Sequence, residues 1–337
     1  MNRLLVVLLI ISLLSINASA YGPRGHQLVG AIADRRLKQN RPVANKVKAL
    51  LDGMTLQRAA TLPDEIKGWQ CGDEPSGHNR INRELQAFVN ANCGNKPSHN
   101  LFHFTDVPVK GNENYADGEI GRDDVDIVHM IPFCIRVLKG EEPETNEHAI
   151  TKSIAVILLT HYLGDIHQPL HVGAEFFDGD GNAFHPTPAN KGFQDQGGNK
   201  LTLFTFMNGR RVSAGKFHGY WDTQTVENAF GNTQNSTVAQ RLGAREPENW
   251  ELTGGIETWA EQLANDILPL AREAHDRLKY RDIVIEPGKR DIISGRADEK
   301  GRQSGEPFYA VWASGVVKEE IHKGGWRLAA LLEQALQ

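Results

Sequence analysis

The sequence predicts a mainly α-helical fold, organised as a single helical domain with one small β-hairpin. Many segments place apolar side chains three or four residues apart, which is the spacing of one face of a helix. One segment, 201–206, alternates apolar and β-branched residues, and the Asn208-Gly209 pair after it is a hairpin turn signal. No internal repeat and no clear linker divides the 337 residues, so we expect one domain in the mature chain.

The helices follow from apolar periodicity and from local start and stop signals. Pro63 favours the start of a short helix with Asp64 in its first turn, where proline and an acidic side chain are both favourable. Gly140 ends a helix that begins with Asp123 or Asp124 as its cap. The segments 94–122 and 172–199 are expected to be mainly loops. We expect the other helices over residues 26–40, 42–52, 79–92, 147–168, 216–230, 256–270 with a kink at Pro269, and a last helix that ends near 324–332.

The composition is that of a soluble globular protein, with 40% hydrophobic and 23% charged residues. The formal net charge of −5 argues against electrostatic capture of a long nucleic-acid duplex. It leaves open an enzyme that binds nucleotides through a local metal site.

Residues 1–20 have the pattern of a secretory signal peptide. Arg3 supplies the positive end, residues 4–14 form the apolar core, and a small-residue A-x-A cleavage site ends at Ala20. The apolar run is too short to span a bilayer, and no later segment is long enough. We therefore expect an exported protein, secreted or periplasmic, without stable membrane association, whose mature domain covers residues 21–337.

The chain has three cysteines, and export permits disulfides. Cys71 and Cys93 lie in Gly/Asn/Pro-rich surroundings and could pair with each other. Cys134 lies in an apolar helical stretch, which is typical of a buried free thiol. No cysteine spacing matches a structural zinc site.

Potential metal ligands are concentrated in the stretch 160–171. Helical spacing places His161 and Asp165 on one face, after the apolar run 154–159. A buried carboxylate is costly unless something pairs with it, and a metal cation is the obvious partner. Pro169 disfavours helix at the preceding residue, so His171 is expected on the segment that leaves the helix.

A second His-x-x-x-Asp pair, His218 and Asp222, repeats the spacing of the first. Asp64, His103 and His26 are further candidates. All these ligands are nitrogen or oxygen donors, which indicates a hydrolytic rather than a structural zinc site. They are too many for one tetrahedral ion, so a cluster of two or three zinc ions suited to attack on phosphate esters fits better.

With these motifs the chain resembles a known family, the trinuclear-zinc single-strand nucleases and 3′-nucleotidases of the S-one/P-one type. Their fold is similar to that of zinc phospholipase C. The resemblance covers nearly the whole mature chain. The matching pieces, in order, are Tyr21-Gly22, Gly25-His26, Pro63-Asp64, His103-Phe104-Thr105-Asp106, residues 161–171, Gly197-Gly198-Asn199, His218, Trp221-Asp222 and Arg327-Leu328-Ala329.

The resemblance implies three Zn²⁺ ions, each held by its own set of ligands. Asp165 would bridge the first and third ions, and the third would also use the α-amine and backbone carbonyl of Tyr21. Only cleavage after Ala20 would create that amine. The implied sets are Asp64, His103, His161 and Asp165 for the first ion; His171, His218 and Asp222 for the second; and Asp165, His26 and Tyr21 for the third.

The implied activity is hydrolysis of single-stranded DNA and RNA to 5′-nucleotides, and removal of the phosphate from 3′-nucleotides, by a metal-activated hydroxide. Asp64 would orient or activate the water, and Lys67 could contact a phosphate. Phe104 and Asp106 match the family's base site, and Asn199 belongs to the same substrate-binding group. Stacking on Phe104 requires an unpaired base, which favours single strands. No protein partner is implied.

The chain departs from the family pattern in four places. The family usually has tryptophan where Tyr21 stands, arginine where Lys67 stands, and Trp-Ala before the first aspartate, where this chain has Leu62-Pro63. The interval from His171 to His218 is longer than in the family, with an insertion around 176–194. Lysine would meet a phosphate as a point charge rather than as a fork. Because the insertion borders the site, substrate preference is the least transferable property.

Two other functions remain as alternatives. A zinc phospholipase C would share the cluster and the helical scaffold, but it typically has glutamate where Asp222 stands. A zinc-binding protein without turnover would not require Phe104 and Asp106 beside the ligands. Both features favour the nuclease.

Overall fold

The computed structural model describes residues 21–74, 79–207, 209–301 and 304–337. The predicted signal peptide lies outside these residues. The fold is mainly helical. The helices are α1 Gly22–Leu37, α2 Arg41–Leu50, α3 Leu56–Ala59, α4 Leu62–Glu65, α5 Arg80–Ala91, α6 Ile127–Lys139, α7 Lys152–Asp165, α8 Phe217–Gly219, α9 Thr225–Phe230, α10 Asn235–Leu242, α11 Trp259–Asp276 and α12 Tyr309–Ala335.

Helix α7 is the central element of the fold. Every residue from Ser153 to Asp165 is buried, because α1, α5, α6 and α12 pack around the helix together with α3 and α4. A helix that is apolar all round belongs in the core. Each fully buried Ile or Leu side chain stabilises the fold by about 1.5–3 kcal/mol. The helix begins where the Thr151 hydroxyl accepts a hydrogen bond from the Ile154 amide. The core therefore fixes the position of the two polar residues near its end.

The strands form one larger sheet and two short pairs. They are β1 Val107–Pro108, β2 Gly173–Ala174, β3 Phe176–Phe177, β4 Phe193–Gln194, β5 Leu201–Met207, β6 Arg210–Lys216, β7 Leu278–Val284 and β8 Ser294–Glu299. The larger sheet has the strand order β6-β5-β8-β7, with β5 and β8 parallel and the other neighbours antiparallel.

The predicted hairpin is confirmed as β5 and β6, but the prediction that it is the only β structure is wrong. Strands β7 and β8 extend the sheet, and about half of their residues are charged and most are at least partly exposed. Ion pairs join them across the sheet, including Arg296 with Asp282 at 3.0 Å and Arg281 with Asp298 at 3.2 Å. Apolar alternation is limited to the start of β7, so apolar periodicity is a weak signal here. The strands form because β7 and β8 pair with each other and β8 pairs with distant β5.

The pair β1–β2 matters for the site. Val107 is paired with Gly173, and the Thr105 amide donates a hydrogen bond to the His171 carbonyl at 2.9 Å. These bonds tie the segment after His103 to the segment after α7. Both segments were expected to be loops, and each contains a short strand where it passes the site.

Most predicted helices are present, with shifted ends. α1 begins at Gly22 and ends at Leu37 rather than covering 26–40, and α7 covers Lys152–Asp165 rather than 147–168. The cap of α6 is Asp126, not Asp123 or Asp124, and Gly140 ends this helix in a left-handed conformation as expected.

The remaining helices differ in detail. The expected helix over 216–230 is divided by a π-helical turn, Tyr220–Gln224, between α8 and α9. α11 continues through Pro269 to Asp276. Among the described residues, no helix is long and apolar enough to cross a membrane.

The cysteines behave as expected. Cys71 and Cys93 form a disulfide with a Cα–Cα distance of 5.9 Å. Cys134 is a buried free thiol in α6.

Candidate metal centre and substrate cavity

The polar end of α7 carries His161 and Asp165. The His161 Nδ1 atom lies 2.7 Å from the Ala60 carbonyl oxygen. A carbonyl can only accept, so Nδ1 carries the proton and Nε2 keeps its lone pair, which is the state that binds a metal. That Nε2 atom lies 3.2 Å from the Asp165 Oδ2 atom, so the i, i+4 spacing converges as predicted.

The two oxygens of Asp165 face different histidines. Oδ1 lies 3.2 Å from His26 Nε2, and Oδ2 lies 2.9 Å from His103 Nδ1. The side chain is fully buried, and Oδ1 accepts no hydrogen bond. A carboxylate in this position is suited to bridge two cations.

His26 reaches the site from α1, and the packing of α1 on α7 permits this. The His26 ring stacks on the His161 ring with centroids 3.8 Å apart. A Cβ atom at Gly164 would lie 2.6 Å from the His26 Nδ1 atom, so only glycine allows this approach. Tyr21 directly precedes α1; its carbonyl accepts a hydrogen bond from the His26 amide at 3.3 Å, and its side chain is buried.

Asp64 and Lys67 lie on α4 and the turn that follows it. The Asp64 Oδ1 atom is 2.7 Å from Lys67 Nζ and 3.7 Å from His161 Nε2, and Oδ2 is 4.0 Å from His26 Nε2. Both side chains are about nine-tenths buried, at 11% and 12% exposure. Burial raises the pKa of Asp64, but His161 and Lys67 outweigh it and hold the pKa below its usual range. Asp64 is therefore ionised beside the histidines.

His171, His218 and Asp222 form a separate group. The Nε2 atoms of the two histidines are 3.0 Å apart, and Asp222 Oδ2 lies 3.5 Å from His218 Nε2. The Nδ1 atoms donate hydrogen bonds to backbone carbonyls, those of His103 at 2.8 Å and Gly197 at 2.7 Å. Both histidines therefore present an unprotonated Nε2 atom to the same point.

The histidines are largely neutral in their buried positions. Burial lowers the pKa of His171 to about 4 and that of His218 to about 3, and it also lowers the pKa of His26 and His103. His161 is the exception, since the charges of Asp165 and Asp64 outweigh burial and raise its pKa. Neutral imidazole is the form that coordinates metals.

The donor set fits metal ions. The side-chain ligand atoms form three groups in which all atoms lie within 4.8 Å of one another: His26, His161 and Asp165; Asp64, His103 and His161; and His171, His218 and Asp222. Burial raises the pKa of Asp222 well above its usual range, and its Oδ2 atom accepts no hydrogen bond. A nearby cation would stabilise this carboxylate and explain its burial.

A cavity of about 330 Å³ borders the second group. His218 forms part of its wall, together with Phe104, Asp106 and Asn199, so the structure brings the predicted substrate-binding residues together beside the predicted ligands. The Asn199 amide donates a hydrogen bond to the Gln196 carbonyl at 3.1 Å. Asp106 is almost fully buried at 2% exposure.

The turn before Asn199 is shaped by residues that the sequence analysis did not assign. Gly197 has φ +55°, and a Cβ atom there would lie 2.2 Å from the Leu170 carbonyl oxygen, so glycine is required. Buried Asp195 accepts a hydrogen bond from the Glu175 amide at 3.2 Å, and its own amide donates to the Glu175 carbonyl at 3.0 Å. These contacts hold the carbonyl that orients His218.

Three further residues support the ligands from behind. Gln168 donates a hydrogen bond to Asp222 Oδ1 at 2.9 Å. His167 accepts one from Arg327 on α12 at 3.0 Å, and the His167 carbonyl accepts one from the Tyr21 hydroxyl at 2.7 Å. Gln168 and His167 lie inside the 161–171 motif, and this position could have indicated a supporting role. Their partners could not be predicted, because they are distant in sequence.

Comparisons with known proteins identify the family of this chain. A family model described as S1/P1 Nuclease matches residues 21–337. The chain is similar to Endonuclease 3 of Arabidopsis thaliana, with 24% identity over 345 residues that cover 98% of this chain and 94% of the relative. It is also similar to Endonuclease 4 of the same plant, with 24% identity over 97% of this chain and 92% of the relative.

The chain therefore belongs to the S1/P1 nuclease family. It is a hydrolase, a nuclease that acts on nucleic acid, and its mainly helical fold is consistent with this family. The family is generally zinc-dependent, and the three His/Asp groups could hold metal ions.

Replacement of Gln168 should weaken metal binding. In Gln168→Ala, Asp222 loses the amide that orients it, and we expect zinc affinity to fall roughly 10- to 100-fold. Competition with a chelator of known affinity measures this change. Gln240→Ala, which alters an exposed glutamine on α10, is the control. Equal zinc affinities in a correctly folded Gln168→Ala protein would contradict the supporting role.

Asp106 should make stability depend on pH. The pKa of Asp106 is raised from 3.8 to about 7, mainly by burial and also by the charges of Asp291 and Asp126. The charge of Arg290 and a hydrogen bond from Gln194 lower this pKa, but by less. The unfolded chain releases this proton more readily, so the folded state loses stability as pH rises from about 4 to about 7.

Asp106→Asn removes this ionisation. The unfolding free energy of the variant minus that of the unmodified protein should increase by on the order of 2–3 kcal/mol from pH 5 to pH 8. Denaturant unfolding of the zinc-loaded proteins at both pH values measures the gain. Asp124→Asn, an exposed neighbour, is the control. A difference between variant and parent that stays constant with pH would disprove the ionisation.

Proposed function

We propose that the chain is an exported zinc-dependent nuclease that hydrolyses single-stranded DNA and RNA to 5′-nucleotides and removes the phosphate of 3′-nucleotides. The observation that carries the proposal is the set of three ligand groups around Asp165 and His171, beside a cavity lined by Phe104 and Asp106. The donors are neutral imidazoles and carboxylates, which suit zinc in a hydrolytic site.

Three zinc ions are proposed, with Asp165 shared between two of them. Asp64, His103 and His161 would complete the first site, and His26 would complete the third with the backbone of Tyr21. His171, His218 and Asp222 would hold the second ion. When bound, the ions would supply Lewis acidity and lower the pKa of a coordinated water.

The protein's own residues would position the substrate and the water. Ionised Asp64 can accept a hydrogen bond from the attacking water, because its pKa is held low. Lys67, at 2.7 Å from Asp64, places a positive charge where a phosphate oxygen could approach. Phe104 would stack on a base, and Asp106 with Asn199 would contact the base edge. A paired base cannot enter such a cavity, which explains a preference for single strands.

Export and the extent of the mature domain belong to the same proposal. The family model begins at residue 21, directly after the predicted cleavage site at Ala20. The Cys71–Cys93 disulfide is typical of an oxidising compartment, either outside the cell or in a periplasm. We therefore propose residues 1–20 as the signal peptide and residues 21–337 as a single nuclease domain.

The main test compares substrates with and without metal. Mature protein that begins at Tyr21 is incubated with single-stranded DNA, RNA, 3′-AMP and phosphatidylcholine. We expect hydrolysis of the first three, 5′-phosphate ends on the strands, slower cleavage of duplex DNA, and loss of activity with chelator that zinc restores. Cleavage of lipid alone would favour a phospholipase C, and no cleavage at all would favour a non-catalytic zinc-binding protein.

The proposed N-terminal ligand has its own test. A methionine left in front of Tyr21 replaces the free amine with a peptide nitrogen, which is a poor metal ligand. We expect zinc content, measured by elemental analysis, to fall by about one ion per chain, with a loss of activity. The matched control is the same chain after proteolytic removal of the methionine. Equal zinc content and equal rates in the two proteins would refute this ligand.

A further inference from the structure

A second, larger cavity adjoins the one that contains Phe104 and Asp106. Its volume is about 970 Å³. The two cavities share four lining residues, so they meet at a common wall, which we call the junction. The shared residues are Gly121, Arg122, Gln194 and Arg290. We call the smaller one the inner cavity and the larger one the outer cavity.

The wall of the outer cavity is built by the inserted segment and by the segment after His103, in about equal parts. Pro186, Pro188 and Lys191 come from this insertion, and Pro108 and Ile120 come from the segment after His103. The prolines present rigid apolar surfaces. Such surfaces suit the flat face of a base or the apolar side of a ribose.

The two arginines at the junction differ in their partners. Arg122 is largely buried and occupied: it pairs with Glu113 at 2.9 Å and donates to the Tyr115 carbonyl at 2.8 Å. Arg290 is exposed, and in the described part of the chain its guanidinium lies within 4 Å of no carboxylate. Arg122 is therefore a structural residue, and Arg290 is available to a ligand.

The backbone around Arg290 is fixed even though its side chain is exposed. The Arg290 carbonyl accepts a hydrogen bond from the Gln194 amide at 3.2 Å, and the Ile292 amide donates to the Gln194 carbonyl at 3.0 Å. Asp291 accepts a hydrogen bond from Gln196 at 2.6 Å. These bonds hold the backbone of Arg290 at the junction before any ligand binds, so only the side chain has to be ordered on binding.

Carboxylates also line the outer cavity, and they restrict where an anion can bind. Glu113 is neutralised by Arg122, and Asp117 accepts a hydrogen bond from the Asn114 amide at 2.7 Å. Glu119 is exposed on the same wall. Repulsion from this wall confines a phosphate to the neighbourhood of Arg290 and Lys191.

We propose that the outer cavity binds the nucleotide on the 5′ side of the one in the inner cavity, and that Arg290 contacts the phosphate that joins them. This inference rests on the proposed function. In a strand, a nucleotide whose 3′-phosphate lies at the metal ligands, next to His218, continues on its other side through its 5′-phosphate. That end meets the junction, where Arg290 is the available cation. The preferred substrate class is therefore a strand of at least two nucleotides, rather than a 3′-mononucleotide.

The test uses two mononucleotides that differ only in a 5′-phosphate. Release of the 3′-phosphate is measured for thymidine 3′-phosphate and for thymidine 3′,5′-bisphosphate. For the unmodified protein we expect kcat/KM to be roughly 10- to 100-fold higher for the bisphosphate, mainly through KM, because a charged hydrogen bond contributes this much. In Arg290→Gln the ratio of the two kcat/KM values should fall to about 1.

Two further variants separate a phosphate contact from a general charge effect. Arg290→Lys should retain part of the ratio, because it keeps the charge and loses the fork. Lys318→Gln, which removes an exposed cation on α12 outside both cavities, should leave the ratio unchanged. Zinc content and thermal unfolding verify that each variant is folded and loaded.

The outcomes distinguish this inference from the proposed function. If the protein hydrolyses neither mononucleotide and cuts no strand, the proposed function fails. If it hydrolyses both mononucleotides with equal kcat/KM, or if Arg290→Gln lowers both values equally, the nuclease assignment stands and the subsite at the junction is overturned.

Discussion

The structure depends on the burial of one carboxylate, Asp165, at the end of a helix that is otherwise apolar. A charge in this position would be costly in the absence of compensation. The compensation comes from His26, His103 and His161, which converge on its two oxygens from three different elements. Because the same carboxylate faces two groups of ligands, cations bound there would hold α1, α7 and the segment after α5 together. Metal binding and the folding of this region are therefore expected to be coupled.

The support for this centre extends to both ends of the described chain. Arg327 on α12 is buried; it donates to His167 and pairs with Asp266 at 2.9 Å, so the last helix fixes the end of the central motif. The His167 carbonyl in turn holds the Tyr21 hydroxyl. This chain of contacts places Tyr21 directly beside the start of α1 and His26. Tyr21 is thus built into the core.

Segment 176–194, interpreted from the sequence as an insertion, lines the outer cavity together with the segment after His103. The inserted segment and the β7–β8 loop meet through backbone hydrogen bonds between Gln194 and residues 290–292. Of the candidate metal ligands, His161 and Asp165 lie on the buried helix α7, whereas these two loops line the outer cavity.

The sequence alone determined the helical class, the central ligand helix and the His-x-x-x-Asp pairs, because these features depend on spacing within about one helical turn. It also indicated the hairpin and the paired cysteines. It did not determine strands β7 and β8, which pair with each other and, through β8, with distant β5. The hydrogen bond from Gln168 to Asp222, the contact from Arg327 to His167 and the junction at Arg290 join residues that are far apart in the chain. Only tertiary packing brings such partners together, and local periodicity contains no information about them.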